Sequence, residues 1–81
     1  MTITVLLFAQ ARDLAGTSRV AVELPDGSRA EDALAAVARA HPALAPLVPH
    51  LAIAVNGAVR PGTAALPRDA EVALLPPVSG G

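Results

Sequence analysis

No cysteine occurs in the 81 residues, so neither a disulfide nor a thiolate-bound metal or iron–sulfur site is available. Trp and Tyr are also missing, and Phe8 is the single aromatic residue. That removes the stacking platform on which single-stranded nucleic acids bind. Charge is scarce too: only 16% of residues are Asp, Glu, Lys or Arg, and the net charge is −1. There is thus no basic footprint for a nucleic-acid backbone. All six basic residues are arginine, which leaves the α-amino group of Met1 as the one amine nucleophile. The chain is therefore expected to be a poor acceptor of acyl groups. The apolar runs are far too short to span a bilayer. The sequence opens directly in a strand-like run with no basic segment before it, unlike a signal peptide. Together with the lack of cysteine, this leads us to expect a cytoplasmic protein without membrane or nucleic-acid partners.

What is present is a hydrophobic share of 53%, mostly Ala, Val and Leu, in a length that fits one small domain. Such a chain folds without covalent staples if its core is well used. Thr2 to Phe8 reads as a strand that becomes apolar on both parities, as a central strand does. Gln10 to Ala15 predicts a short helical segment closed by Gly16. Arg19 to Leu24 alternates as a half-buried strand, and Pro25-Asp26-Gly27 predicts a turn. Ser28 and Glu31 have the spacing of a capping box. Behind them, Ala30, Ala33, Leu34, Val37, Ala38 and His41 share one helical face, and Pro42 stops the helix at His41. Leu51 to Val55 predicts a third strand, turned by Asn56-Gly57 into a short return over Ala58 to Arg60. Leu66 anchors an irregular stretch. Glu71 to Leu75 is apolar on both parities, like the first strand. Two central strands from opposite ends of a chain pair most simply side by side and in parallel. The expectation is an α+β fold of the β-grasp, ubiquitin-like kind: a mixed sheet packed on one main helix, covering residues 1–75, with a flexible tail over 76–81.

Catalytic constellations are missing. His41 sits on the apolar stripe near a helix C-terminus, where packing or capping explains it. His50 has no second ligand at metal-binding spacing. Glu31 and Asp32 are first-turn acids of a helix. No Gly-rich phosphate loop or Ser–His–Asp set occurs, and Ser79 has no base near it in sequence. No metal site and no cofactor bound by this chain are expected.

The sequence closes on Pro76-Pro77-Val78-Ser79-Gly80-Gly81. Two prolines stiffen the exit from the last strand, and two glycines strip the end of side chains so that another backbone can approach closely. A carboxylate at Gly81 on so slim a stalk can enter a narrow channel and be activated there. On Gly-Gly alone a purposeless tail is the better explanation; Pro-Pro-Val behind an apolar strand reverses that preference. If the protein takes part in chemistry, its own terminus is the reacting group.

With these residues the chain resembles the MoaD/ThiS family of ubiquitin-like sulfur carriers over its whole length. The resemblance rests on Leu7-Phe8-Ala9-Gln10-Ala11-Arg12 with Leu14 and Gly16, on Val55-Asn56-Gly57, on Asp69 with Glu71-Val72, and on Leu75-Pro76-Pro77-Val78-Ser79-Gly80-Gly81. Pro76-Pro77 places it nearer the molybdopterin branch than the thiazole branch. Arg68 where Gly is frequent, and Leu74-Leu75 where an aromatic pair is frequent, are departures that touch the partner surface and not the terminus. The resemblance implies that a ubiquitin-activating-like adenylyltransferase, using ATP and Mg²⁺, adenylates Gly81. A sulfur donor then makes a thiocarboxylate, and the tail delivers sulfur to cyclic pyranopterin monophosphate inside the large subunit of molybdopterin synthase, in a heterotetramer. Gly81 would be the reacting residue in that non-catalytic subunit, and Pro76, Pro77, Val78, Ser79 and Gly80 would thread the channel. The partner interface is expected among Phe8, Leu74 and Leu75: alternation puts Leu74 and Leu75 on opposite faces and a single helix covers only one, so one of the two, or Phe8, is expected to stay partly exposed. Three other functions compete: a carrier for thiamine thiazole or other thiolation, a ubiquitin-like modifier of lysines, and an interaction module with an idle tail.

Overall fold

Thr2–Leu7, β-branched from Thr2 to Val5 and then Leu-Leu, forms β1, and Glu71–Leu75, apolar after Glu71, forms β5. A computed structural model describes residues 1–77 of the chain and pairs these two strands in parallel, Thr4 level with Glu71 and Leu7 with Leu74. They occupy the middle of a five-stranded sheet with β2 (Arg19–Glu23), β3 (Ala52–Val55) and β4 (Ala58–Arg60). The order is β2-β1-β5-β3-β4, and every neighbouring pair except β1–β5 is antiparallel. This is the β-grasp arrangement that the two doubly apolar strands imply. The N-terminal and C-terminal strands lie side by side, so the tail leaves from the centre of the sheet.

Two helices accompany the sheet, α1 (Ala9–Ala15) and α2 (Ala30–Ala40), followed by single 3₁₀ turns at Pro42–Leu44 and Val48–His50. Gly16 ends α1 at φ 74, and its N–H donates to the Arg12 carbonyl. His41 is the last cap of α2, as Pro42 requires. The buried stripe of α2 is Ala30, Ala33 and Val37, with Leu34, Ala38 and His41 half-buried at its margin. Opposite it on the sheet stand Ile3, Val5, Leu7, Val22, Ile53, Val55, Val72 and Leu74, and Leu44 and Leu66 close the sides. Burial of this kind supplies about 25 cal/mol for each Å² of apolar surface removed from water.

The capping box expected at Ser28 and Glu31 is not the one formed. The first helical residue is Ala30, so the Arg29 N–H receives the return bond, donating to Asp32 Oδ2 over 2.7 Å. The Ser28 hydroxyl instead donates to the Pro25 carbonyl at 2.7 Å. No side chain caps the first N–H groups of α2. The chain between β4 and β5 does so: the Ala30 N–H donates to the Ala64 carbonyl at 2.9 Å and the Glu31 N–H to the Gly62 carbonyl at 2.8 Å. Backbone carbonyls of a distant segment satisfy the orphan donors that every helix start leaves open. The same segment joins the Ser28 carbonyl through the Leu66 N–H, 2.9 Å away, and buries Leu66. It therefore sits on the helix side and leaves the other sheet face open.

The β3–β4 turn is Asn56-Gly57 with φ of 48 and 85, positive at both central positions as a type I′ turn demands. Asn56 also ties the hairpin to β5: its side-chain carbonyl accepts from the Glu71 N–H at 2.9 Å. A Cβ at Gly57 would meet no neighbour within 4 Å, so Gly57→Ala isolates the backbone term. We expect it to cost about 1 kcal/mol, read as a lowered denaturation midpoint with an unchanged urea m-value.

Candidate functional site: the tail exit and the open sheet face

Strand alternation divides β1 and β5 between the two faces. Ile3, Val5, Leu7, Val72 and Leu74 point at α2, while Thr4, Leu6, Ala73 and Leu75 point away from it. Leu74 is wholly buried in the core. It offers no surface to a partner, and its place in the expected interface falls away. Leu75 is half-buried on the open face beside Ala52 of β3. Phe8, one residue past β1, keeps the extended backbone (φ −123, ψ 155), follows the Leu7–Leu74 pair, and is 44% exposed. Of the three residues expected at the interface, two therefore remain on the surface, and both stand where β5 ends.

The register adds residues that sequence patterning passed over. Leu6, Ala73, Ala54 and Val59 form one row across four strands of the open face. Val59, at the edge, is 69% exposed. The alternation of β3 and β4 carries this signal, but only once the pairing of Ala54 with Val59 is known. Ala54 is itself buried within the row and Leu6, Ala73 and Leu75 are half-buried, so the apolar groups most open to solvent on this face are Val59 at the edge and Phe8 and Ala52 near the tail exit. Exposed apolar groups beside a projecting segment are what an interaction face offers.

Pro76 is half-buried and Pro77 exposed as the chain leaves β5. Val78, Ser79, Gly80 and Gly81, which carry the expected chemistry, lie outside the described residues. A proline at each of the two positions after Leu75 removes the backbone donors there, so β5 cannot extend its ladder into the tail.

Elsewhere the molecule is chemically quiet. Among the described residues, no group of three or more His, Asp or Glu side chains could hold a metal ion. No helix among the described residues is long and apolar enough to cross a membrane. His41 and His50 have no acidic partner within salt-bridge distance, and no buried side-chain polar atom lacks a hydrogen bond among those residues. An open groove of about 520 Å³ between β4 and the following segment is lined by Asn56, Arg60, Pro61 and Ala64. It lies at the hairpin, away from the tail exit, and Arg60 is its one charged lining residue.

Comparison with known proteins matches this geometry. The chain is 43% identical over 83 residues to the molybdopterin synthase sulfur carrier subunit of Chlamydomonas reinhardtii, covering 100% of both chains. It is 39% identical to small archaeal modifier protein 1 of Haloferax volcanii, covering 93% of this chain and 95% of that protein. The crystal structure of that archaeal protein superposes with a TM-score of 0.90 over 100% of both chains, at 32% identity. Residues 5–81 match the ThiS family, the β-grasp frame with a central-strand exit agrees with that match, and this chain belongs to the ThiS family.

Proposed function

We propose that this protein is the sulfur-carrier subunit of molybdopterin synthase. The observation that carries the reading is full-length similarity to a molybdopterin synthase sulfur carrier subunit, in a chain whose central strand runs directly into Pro-Pro-Val-Ser-Gly-Gly. The domain supplies a rigid body and a docking face; the reacting group is the carboxylate of Gly81. A carboxylate resists nucleophilic attack until one oxygen is made a leaving group. An adenylating partner resembling ubiquitin-activating enzymes does this with ATP and Mg²⁺, releasing pyrophosphate. Sulfur from a donor protein then displaces AMP and leaves a thiocarboxylate, whose soft sulfur is nucleophilic near neutral pH. Held on an inserted tail, it reacts with cyclic pyranopterin monophosphate as if within one molecule. The large synthase subunit supplies acid–base groups and charge stabilisation, so this chain contributes sulfur and no catalytic side chain. Both partners use the open face with residues 76–81, one at a time. Function in the cytoplasm belongs to the same reading.

The similarity to a small archaeal modifier protein supports a second reading, conjugation of Gly81 to lysines of other proteins. An intact-mass measurement after incubation with cell extract and ATP separates the two. Replacement of one oxygen by sulfur is expected. Isopeptide-linked adducts without any thiocarboxylate form would refute the sulfur-carrier reading.

Channel threading makes a further demand on Gly80. Gly80→Ala is expected to slow sulfur transfer at least tenfold while changing stability by no more than about 0.5 kcal/mol. Parallel transfer assays and thermal melts check this, and a melting-point drop large enough to explain the lost activity would contradict it.

A further inference from the structure

The charges of this nearly neutral chain are sorted along the strand axis. At the end where β5 releases the tail, Arg19 stands level with Leu6, and the Leu7 N–H reaches the Ser18 carbonyl beside it. Arg12 lies in α1, which begins directly after Phe8, and among the described residues it pairs with Asp13, 3.6 Å away. That pair is largely exposed on both sides, so water and salt screen it and leave the guanidinium available to a partner. The last turn of α2 brings Arg39 towards the same end, since the 3₁₀ turn that follows it packs on α1. The other six acidic residues lie elsewhere. Glu23 ends β2 opposite Thr2, and Asp69 and Glu71 lead into β5. Asp26 sits in the turn after β2, bound to Arg68 at 3.1 Å. Glu31 and Asp32 open α2, whose first N–H groups the segment before β5 holds. The far end also holds Arg29 at the start of α2, Arg68 and the Met1 α-amino group, 3.8 Å from Asp26, but six acids outnumber these three cations. At the tail-exit end Arg12, Arg19, Arg39 and Arg60, which is level with Ile53 and Leu74, stand against Asp13 alone among the described residues, so a molecule of net charge −1 carries a positive collar there and a negative balance at the far end.

From this sorting we infer that the collar of Arg12 and Arg19 docks against an acidic rim at the mouth of the channel that receives the tail in the large synthase subunit. The inference rests on the function proposed above and adds the electrostatic character of the partner. Two observations support it. The collar is continuous with the apolar row ending at Leu75 and Phe8, so one contact covers both. The sign is also opposite to that of the whole molecule, so a partner attractive to the chain as a whole would turn the wrong end towards itself. An acidic rim attracts the collar and repels the far end, which orients the encounter with the tail leading. The anionic tip of the tail does not interfere. A stretch of six residues can reach up to about 20 Å when drawn out, more than twice the Debye length of about 8 Å at physiological salt. A cationic pocket for the carboxylate deep in the channel and an acidic rim at its mouth can therefore coexist.

The test is stopped-flow association of the full chain with the large subunit encoded by the same genome, at low and high salt. Three proteins are compared: wild type, the double variant Arg12→Glu with Arg19→Glu, and a far-end control, Glu23→Lys with Glu31→Lys. Thermal melts verify that each is folded. The collar variant is expected to associate at least tenfold more slowly at low salt, with the difference vanishing near 1 M salt, where the Debye length is about 3 Å. The control is expected to stay within about twofold of wild type. A wild-type rate independent of salt, or changes of similar size and opposite sign in the two variants, would overturn the inference while leaving the proposed function standing. Failure of wild type to bind the large subunit at any salt would remove both.

Discussion

Appending a single alanine after Gly81, or deleting Gly81, is expected to abolish sulfur transfer and leave the melting temperature where it was. Either change moves the reacting carbonyl by one residue, about 3.5 Å along an extended chain. Misplacement of reacting groups by as little as 1 Å costs on the order of a hundredfold in rate, so a full residue should take the reaction below detection. The body has no reason to respond: its core is complete by Leu74, and β5 ends at Leu75. Tail changes of this kind alter stability by about 0.5 kcal/mol or less. The measurement is the yield of thiocarboxylate by intact mass, paired with rescue of a strain lacking its own small subunit. An extended protein that rescues that strain without being trimmed back would end the assignment of Gly81 as the reacting residue.

A carboxylate placed at Leu75 and one placed at Leu74 should give opposite phenotypes, although the residues are neighbours. Leu75→Asp falls on the open face beside Ala52, where water can solvate the charge. It should fold normally and bind the large subunit about thirtyfold more weakly or worse, the loss expected when an apolar anchor at an interface is destroyed. Leu74→Asp puts an unpaired charge into the core and should prevent folding. The milder Leu74→Ala keeps the effect measurable: a cost of about 3 kcal/mol, or a melting temperature about 15 °C lower for a domain of this size. Calorimetric titration and thermal melts on the three variants give both readouts. Full-strength binding by Leu75→Asp would show that docking uses another surface.

The doubling of apolar parity in β1 and β5 is also where sequence reading reached furthest and where it stopped. Residues apolar on both faces told that these strands are central and adjacent, and Asn56-Gly57 told where the hairpin turns, because each rests on a local property. The same doubling obscured which of Leu74 and Leu75 faces the helix, since Glu71, on the parity of Leu75, is the single polar residue of β5 and stands at its first position. The start of α2 was misread by one residue for a different reason. Ser28 and Glu31 have the right chemistry and spacing, but the Glu31 N–H that Ser28 would serve donates to the carbonyl of Gly62, thirty-one residues later, and the Ser28 N–H that Glu31 would serve donates to the Pro25 carbonyl. No local pattern announces a cap supplied by tertiary structure. The site itself divides in the same way. The roles expected of Gly81 and the tail rest on the sequence alone, whereas the row Leu6, Ala73, Ala54 and Val59 exists only through the register of four strands.

The position of β5 between β1 and β3 has a mechanical consequence. A partner that grips the tail and must later let go exerts a pull on Pro76 along the axis of β5. That strand is flanked by a parallel ladder to β1, from Thr4–Glu71 to Leu7–Leu74, and an antiparallel ladder to β3, from Val55–Val72 to Ala52–Leu75. A pull along the axis loads both ladders in shear, so their bonds share the force and none can be opened alone. The same pull on an edge strand, directed across its ladder, would peel bonds off one after another. If the tail enters a channel as proposed, the domain can serve as its anchor while it is drawn out again.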